Sequence, residues 1–470
     1  QRVGVTGESG GGTQTFILCA IDPRPTVAFP AVMVSTNMQG GCICENADYL
    51  RIGLNNIAFA AVFAPKPLAM TGANDWTIDI ERKGLLDLKK VYSFYDAAAS
   101  VHAKCFPEFG HNYNQLAREM MYEWFNTHLK LGRIEPIKEE KFSPLEPMKL
   151  SVFDSDHPRP KDECDAIELR RYLSEISERQ LADLLPTDPE RLEQYRKVVG
   201  GAAKVILDAG EVKPGFVRQA EATKNYLSSG EIMHKGLIVR NDDQAKIPYV
   251  ALESESFNGI GTIWIDGAGK NHLLNDDSTP KPHVKRLLDN GNAVASIDLL
   301  LTGESKRPDG RPNHLDIDPG YAGKTFAYNR PLLVERVRDT VASIAVVLAE
   351  PNVTKVQLVG SGDAGPIVLL AATQLQGVIH EVIVNLPETS MNQVTSQSDP
   401  RFLPGLVKYG GLGSLAGLAA PTNLTIAGAE VFSESECLPM RSIQKLTNWK
   451  LSLIEDRLSD DRITDLILGQ

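Results

Sequence analysis

The first residues that could do chemistry form a G-x-S-x-G pattern, Gly7-Glu8-Ser9-Gly10-Gly11. The pattern follows a short apolar strand and precedes an apolar helix, the setting in which a sharp turn presents a serine hydroxyl above a sheet. Small neighbours are needed because the serine backbone is strained and the flanking chain crowds it. The pattern predicts that Ser9 is a nucleophile for acyl transfer and that the Gly10 backbone N–H binds the oxyanion. A glycine-rich turn or a phosphate-binding loop is the alternative interpretation.

Such a serine needs a histidine base and an acid that orients it, in the chain order Ser, Asp or Glu, His. Asp75 follows the third predicted strand, and His111 follows the fourth. Because the carboxyl ends of parallel strands meet at one edge of a sheet, the three side chains are expected to converge. We predict that Ser9 attacks, His111 moves the proton and Asp75 fixes the tautomer. A turn or capping role for Asp75 and a backbone-bonded loop role for His111 are the alternatives.

The elements that must position these residues alternate between strand and helix. Short apolar or β-branched runs predict strands, and longer runs with apolar residues at helical spacing predict helices. The predicted strands are 3–6, 27–35, 66–70 and 101–106, and the predicted helices are 10–20, 80–95 and 114–129. This alternation indicates a parallel sheet covered on both faces, so the fold class is α/β.

The second half of the chain repeats the same rhythm. Its second glycine-rich turn places Gly362 where the nucleophile would stand, with Ser361 one position earlier, and no histidine occurs after His380. We therefore predict a second α/β domain that is a degenerate form of the first and has no catalysis of its own.

Composition narrows the class of protein. The chain has 470 residues, of which 42% are hydrophobic and 23% charged, as in ordinary globular proteins. No apolar run reaches the roughly 18–20 residues of a membrane span. The net charge of −11 provides no basic field for nucleic acid. Cys42 and Cys44 lack a second Cys/His pair at zinc-site spacing, so we predict no metal there and no cofactor.

Several longer motifs carry a resemblance to a known family. They are Met38–Asn46, Phe63–Leu68 leading to Asn74–Thr77, Phe109–Asn114, and Leu150–Asp154 followed by His157-Pro158. With these motifs, residues 1–160 resemble the large bacterial acetyl-xylan-esterase-like branch of the α/β-hydrolases. The resemblance implies a carbohydrate esterase, often secreted, that removes acetyl groups from plant polysaccharide through Ser9, Asp75 and His111. It also implies a secreted or periplasmic location.

The resemblance carries an expectation about domains. We expect two α/β-hydrolase-like domains with mainly parallel sheets, the first lacking its N-terminal strands. The expected divisions are residues 1–132, the C-terminal portion of a catalytic domain; 133–228, a connecting segment with helices; and 229–470, the degenerate domain. Without further strands the elbow strand would be an unpaired apolar edge, which proteins avoid. We therefore expect an upstream segment or a partner chain to complete the first domain and supply the second oxyanion donor.

Three further residues are candidate ligands for a small ester or an acetylated polysaccharide. Trp76 and Tyr113 flank the triad and could stack on a sugar ring or line the acyl pocket; local packing is the alternative. Glu45, on the segment after the second strand, is also a competing acid for the triad. A general carboxylesterase, an oligopeptidase-like serine hydrolase and a non-catalytic carbohydrate-binding or scaffold protein remain as other functions.

Overall fold

The computed structural model divides the chain into two compact units. It describes residues 2–37, 45–210, 212, 215–227, 230–309, 311 and 314–470. The first unit comprises residues 1–163 and 320–329, and the second comprises 164–319 and 330–470. Residues 133–163 therefore belong to the first unit and 164–228 to the second. The motif residues 38–44, with Cys42 and Cys44, lie outside the described residues.

The first unit is built on a four-stranded parallel sheet of order β1-β2-β3-β4. Its strands are β1 (Gly4–Glu8), β2 (Val27–Ala31), β3 (Leu68–Ala73) and β4 (Val101–Phe106). Its helices are α1 (Gly10–Ile21), α2 (Asn56–Ala61), α3 (Gly84–Ser93), α4 (Gln115–Leu129) and, from the later segment, α9 (Ala322–Tyr328). In the described part of the chain β1 is an edge strand, and completion of the sheet by other strands stays a prediction.

The apolar pattern of the sequence explains these elements. Every residue of β2 and β3 is buried, as expected of central strands covered on both faces. Phe16 of α1 and Leu88 and Tyr92 of α3 are almost fully buried in the core beside these strands. The Asn114 side chain accepts a hydrogen bond from the Ala117 backbone N–H and so caps α4. This packing holds the carboxyl ends of the strands in place at one edge of the sheet.

The segment 320–329 joins the first unit through the backbone. The N–H groups of Tyr49 and Arg51 donate to the carbonyls of Phe326 and Ala327, each at 2.8 Å. These bonds connect residues nearly 300 positions apart, so no local pattern in the sequence could indicate them.

The second unit contains a nine-stranded sheet of order β13-β12-β11-β10-β8-β9-β7-β6-β5. Its strands are β5 (Val217–Tyr226), β6 (Ile232–Arg240), β7 (Lys246–Glu253), β8 (Ile260–Asp266), β9 (Ala293–Ile297), β10 (Lys355–Ser361), β11 (Glu381–Asn385), β12 (Asn423–Ala427) and β13 (Leu451–Ile454). Its helices are α5 (Ala166–Asp183), α6 (Pro189–Tyr195), α7 (Gly201–Leu207), α8 (Pro282–Asp289), α10 (Leu332–Ala349), α11 (Gly365–Ala372), α12 (Gly411–Ala416), α13 (Glu434–Thr447) and α14 (Asp460–Leu468). The strands from β13 to β9 in this order run parallel, and β5, β6 and β7 add antiparallel pairs.

The predicted α/β class with mainly parallel sheets is confirmed. The antiparallel strand β5 was not predicted, because most of its residues are exposed and polar and it lacks the buried face that produces a strand pattern. Its residues fall in the segment 133–228, which the sequence suggested to be a helical connector.

Candidate active site

Ser9 lies on a sharp turn between a strand and a helix. β1 ends at Glu8 and α1 begins at Gly10, and Ser9 between them has φ 57° and ψ −120°. Few residues other than glycine adopt positive φ, and such strain is concentrated at functional sites. The Ser9 backbone N–H donates to the Ala31 carbonyl at the end of β2, at 3.2 Å. Gly10 is the first residue of α1, where backbone N–H groups have no partner within the helix and the helix dipole favours negative charge.

The glycines around Ser9 have unequal roles. A Cβ on Gly7 would lie 2.3 Å from the Gly11 carbonyl oxygen, so the chain before the serine touches the backbone after it. A Cβ on Gly11 itself would meet nothing within 4 Å. The tight turn therefore depends on Gly7, whereas Gly11 tolerates a side chain.

Replacing Gly7 with Ala should lower the free energy of unfolding by about 1–3 kcal/mol, because the new Cβ would lie only 2.3 Å from the Gly11 carbonyl oxygen. Gly11→Ala is the matched control and should change stability by less than about 1 kcal/mol, in the stabilising direction, since alanine is the better helix former. Thermal or urea unfolding of the two variants measures the difference. Equal stability of the two variants would contradict the tight approach at Gly7.

Asp75 is held rigidly in the loop after β3. Its Oδ1 accepts from the Thr77 backbone N–H at 2.7 Å and from the Thr77 hydroxyl at 2.5 Å. Its side chain is only 7% exposed. These contacts leave Oδ2 for a different partner.

That partner is His111, in the loop after β4. The His111 Nδ1 lies 2.8 Å from Asp75 Oδ2. The Asn74 backbone N–H donates to the Phe109 carbonyl at 2.8 Å, which ties the two loops together. The Trp76 ring lies against the imidazole, with ring centroids 4.7 Å apart. The structure thus brings the predicted acid and the predicted base within hydrogen-bond distance, through Oδ2 and Nδ1.

The other nitrogen of His111 faces the end of β1. Its Nε2 lies 3.4 Å from Oε1 of Glu8, the residue that precedes Ser9. Both side chains are about 30% exposed, His111 at 28% and Glu8 at 30%. This contact places the imidazole over the strand end that carries the serine. Sequence analysis did not single out Glu8, although its position next to the serine within G-x-S-x-G was the available signal.

The remaining predicted ligands have other partners. The Tyr113 hydroxyl shares a 2.6 Å hydrogen bond with the Thr6 hydroxyl, and its ring stacks on Phe29. Burial raises the pKa of Tyr113 to about 12, so its hydroxyl stays neutral. Glu45 is buried, and its backbone carbonyl accepts from Arg51 at 2.7 Å. Substrate-binding roles for Trp76, Tyr113 and Glu45 stay predictions.

The second unit contains a comparable turn with different chemistry. Gly362 follows β10 with φ 57°, the same value as at Ser9. The Ser361 hydroxyl donates to Asp266 Oδ2 at 2.5 Å and accepts from the Trp264 ring N–H at 3.1 Å. Ser361 is therefore buried and hydrogen-bonded beside the turn, which agrees with the absence of a nucleophile at Gly362.

Two features of the described residues concern metal binding and membrane insertion. No group of three or more His, Cys, Asp or Glu residues in this part of the chain is arranged to hold a metal ion. Within the same ranges, none of the helices has the length and apolar character needed to cross a membrane.

Comparisons with known proteins give likenesses to esterases. No family model matches the chain, and no curated protein matches it. A solved methylesterase is 32% identical over 27% of this chain and 30% of its own length, with a TM-score of 0.26. Acetyl xylan esterase 1 from Thermoanaerobacterium sp. is 13% identical, covering 62% of this chain and 96% of that one, with a TM-score of 0.38.

A glucuronoyl esterase from Solibacter usitatus is also 13% identical, covering 60% of this chain and 93% of that one, with a TM-score of 0.41. This chain spans about 30% of the length of the methylesterase. Acetyl xylan esterases are thus among the solved structures to which the chain is similar.

Proposed function

We propose that this protein is a serine esterase that works through an acyl-enzyme on Ser9, His111 and Asp75. The observation that carries the proposal is the 2.8 Å contact between Asp75 Oδ2 and His111 Nδ1, with Nε2 directed toward the strand end where Ser9 stands on its strained turn. An acid, an imidazole and a serine hydroxyl on the loops after β3, β4 and β1 of one parallel sheet are the parts that acyl transfer needs.

The chemistry follows from the positions of these groups. His111 Nε2 takes the proton of the Ser9 hydroxyl as its oxygen attacks the ester carbonyl carbon. The Gly10 backbone N–H, at the positive end of α1, stabilises the oxyanion. His111 then gives the proton to the departing alkoxide, leaving an acyl-Ser9 ester. A water molecule, deprotonated by His111, attacks this ester; His111 then returns the proton to the departing Ser9 oxygen, which releases the acid and the free serine.

The proposed substrate is a small carboxylic ester of a carbohydrate, with acetyl as the acyl group. The likeness to acetyl xylan esterases supports this class, as does Trp76, whose ring lies against the imidazole and provides an aromatic surface for a sugar. The net charge of −11 favours a neutral substrate over a polyanion.

Parallel assays test the substrate class. We expect acetate release from acetylated xylan and from the short ester p-nitrophenyl acetate, and little cleavage of an aminoacyl amide. Cleavage of the p-nitrophenyl ester without acetate release from xylan would indicate a general carboxylesterase, and preference for the amide would indicate an oligopeptidase-like enzyme. Binding of xylan without turnover of any ester would overturn the proposal in favour of a carbohydrate-binding protein.

A further inference from the structure

The second unit contains a cavity of about 200 Å³ between α10 and one face of the sheet. Strands β7, β8 and β9 form its floor, and Ser343, Val346 and Val347 of α10 lie above it. The cavity belongs to no part of the site described above. Its volume exceeds the roughly 150 Å³ of engineered apolar cavities that bind benzene.

Small side chains on adjacent strands produce this space. Ala251 pairs with Ala295 across β7 and β9, and Gly261 pairs with Ala293 across β8 and β9. Because side chains alternate along a strand, these residues lie on the same face, toward the helix. The helix touches the sheet at Gly261, where a Cβ would lie 3.0 Å from a Val347 methyl group. Next to this contact, the alanine side chains are too short to fill the space between the sheet and the helix, and the cavity remains.

Two carboxylates, Glu253 and Glu350, are among the polar groups of the lining. The Tyr249 hydroxyl donates to Gln219 Oε1, and Gln219 Nε2 donates to Glu350 Oε1, each at 3.2 Å. His234 Nε2 lies 3.2 Å from Glu253 Oε2. The Tyr249 hydroxyl hydrogen and one N–H of the Gln219 amide are therefore used within the protein. A carboxylate has about four lone-pair positions, so Glu253 and Glu350 keep acceptor capacity.

We propose that this cavity binds a monocyclic aromatic compound that carries one hydroxyl or amino donor. The alanines of β7 and β9 and the valines of α10 surround the ring. The carboxylates of Glu253 and Glu350 accept the hydrogen of the ligand's hydroxyl or amino group. The same negative charge disfavours an aromatic acid of equal size. The proposal is independent of esterase activity and concerns only the second unit.

Titration calorimetry of the full chain with benzylamine, benzyl alcohol and benzoate tests this inference. We expect saturable binding of the amine and the alcohol with dissociation constants below about 5 mM, and binding of benzoate that is at least about 10-fold weaker. Ala295→Leu fills the floor of the cavity and should weaken both ligands by at least about 10-fold, with thermal unfolding as the check that the variant is folded.

If the Ala295→Leu protein does not fold, a substitution at the exposed residue Glu350 still tests the proposal. Glu350→Gln retains an acceptor but removes the charge, so benzylamine should bind about 2- to 5-fold more weakly while benzyl alcohol changes by less than about 2-fold. Absence of saturable binding to the parent chain would overturn the proposal. Equal binding of benzoate, or unchanged binding in a folded Ala295→Leu protein, would overturn it as well.

Discussion

Ser9→Ala should lower kcat/KM for ester hydrolysis by about 10⁴- to 10⁶-fold, the loss seen when a nucleophile acting in a triad is removed. The reason is chemical, because no acyl-enzyme can form without the hydroxyl. The fold should be retained: Ser9 contributes its backbone to the turn through the bond to Ala31, and that bond does not involve the side chain. Initial rates with p-nitrophenyl acetate, together with thermal unfolding, provide the measurement.

Ser361→Ala is the matched control, since Ser361 stands beside the comparable turn of the second unit. Its hydroxyl is buried and bonded to Asp266, so we expect a cost of about 1–2 kcal/mol in stability and little change in kcat/KM. Loss of activity in this variant and retention of activity in Ser9→Ala would assign catalysis to the second unit and contradict the account.

Asp75→Asn should lower kcat by about 10³- to 10⁴-fold with a smaller effect on KM. The amide keeps the size of the side chain and can keep its bonds to Thr77, but an NH₂ group facing Nδ1 favours the wrong imidazole tautomer. Nε2 would then carry the hydrogen and could not accept the serine proton. Steady-state kinetics over a range of pH values measures the effect.

Asp79→Asn is the control for a lost charge in the same loop. Asp79 pairs with Lys83 at 2.8 Å, and none of its contacts among the described residues involves the imidazole. We expect its kcat to stay within about 2-fold of the parent. An equal loss in both variants would show that loop integrity, rather than the orientation of His111, explains the effect of Asp75.

Much of the candidate site was predictable because parallel sheets impose a simple rule. Loops after successive strands meet at one edge, so an aspartate after β3 and a histidine after β4 converge without knowledge of distant contacts. The observed 2.8 Å approach of Asp75 to His111 follows from this rule. The G-x-S-x-G pattern likewise predicts the strained turn, because few sequences tolerate the close approach at Gly7.

Other features could not be read from the sequence because they depend on contacts between distant residues. The bonds from Tyr49 and Arg51 to the segment 320–329 join positions that no periodicity relates. Strand β5 shows few buried positions, so its polar sequence resembles that of a connector. The contact between Glu8 and His111 depends on the direction of the Glu8 side chain, so the position next to Ser9 was a signal that did not by itself reveal the contact.

The central claim is that Ser9 is the residue that becomes acylated, with His111 as its base. Reaction with a fluorophosphonate tests it most directly, because the reagent forms a serine Oγ–phosphorus bond and releases fluoride only at an activated hydroxyl. We predict a single adduct on the peptide that contains Ser9, located by tandem mass spectrometry, and its loss in the His111→Ala variant. An adduct on another serine such as Ser361, or no adduct on the folded parent protein, would contradict the account.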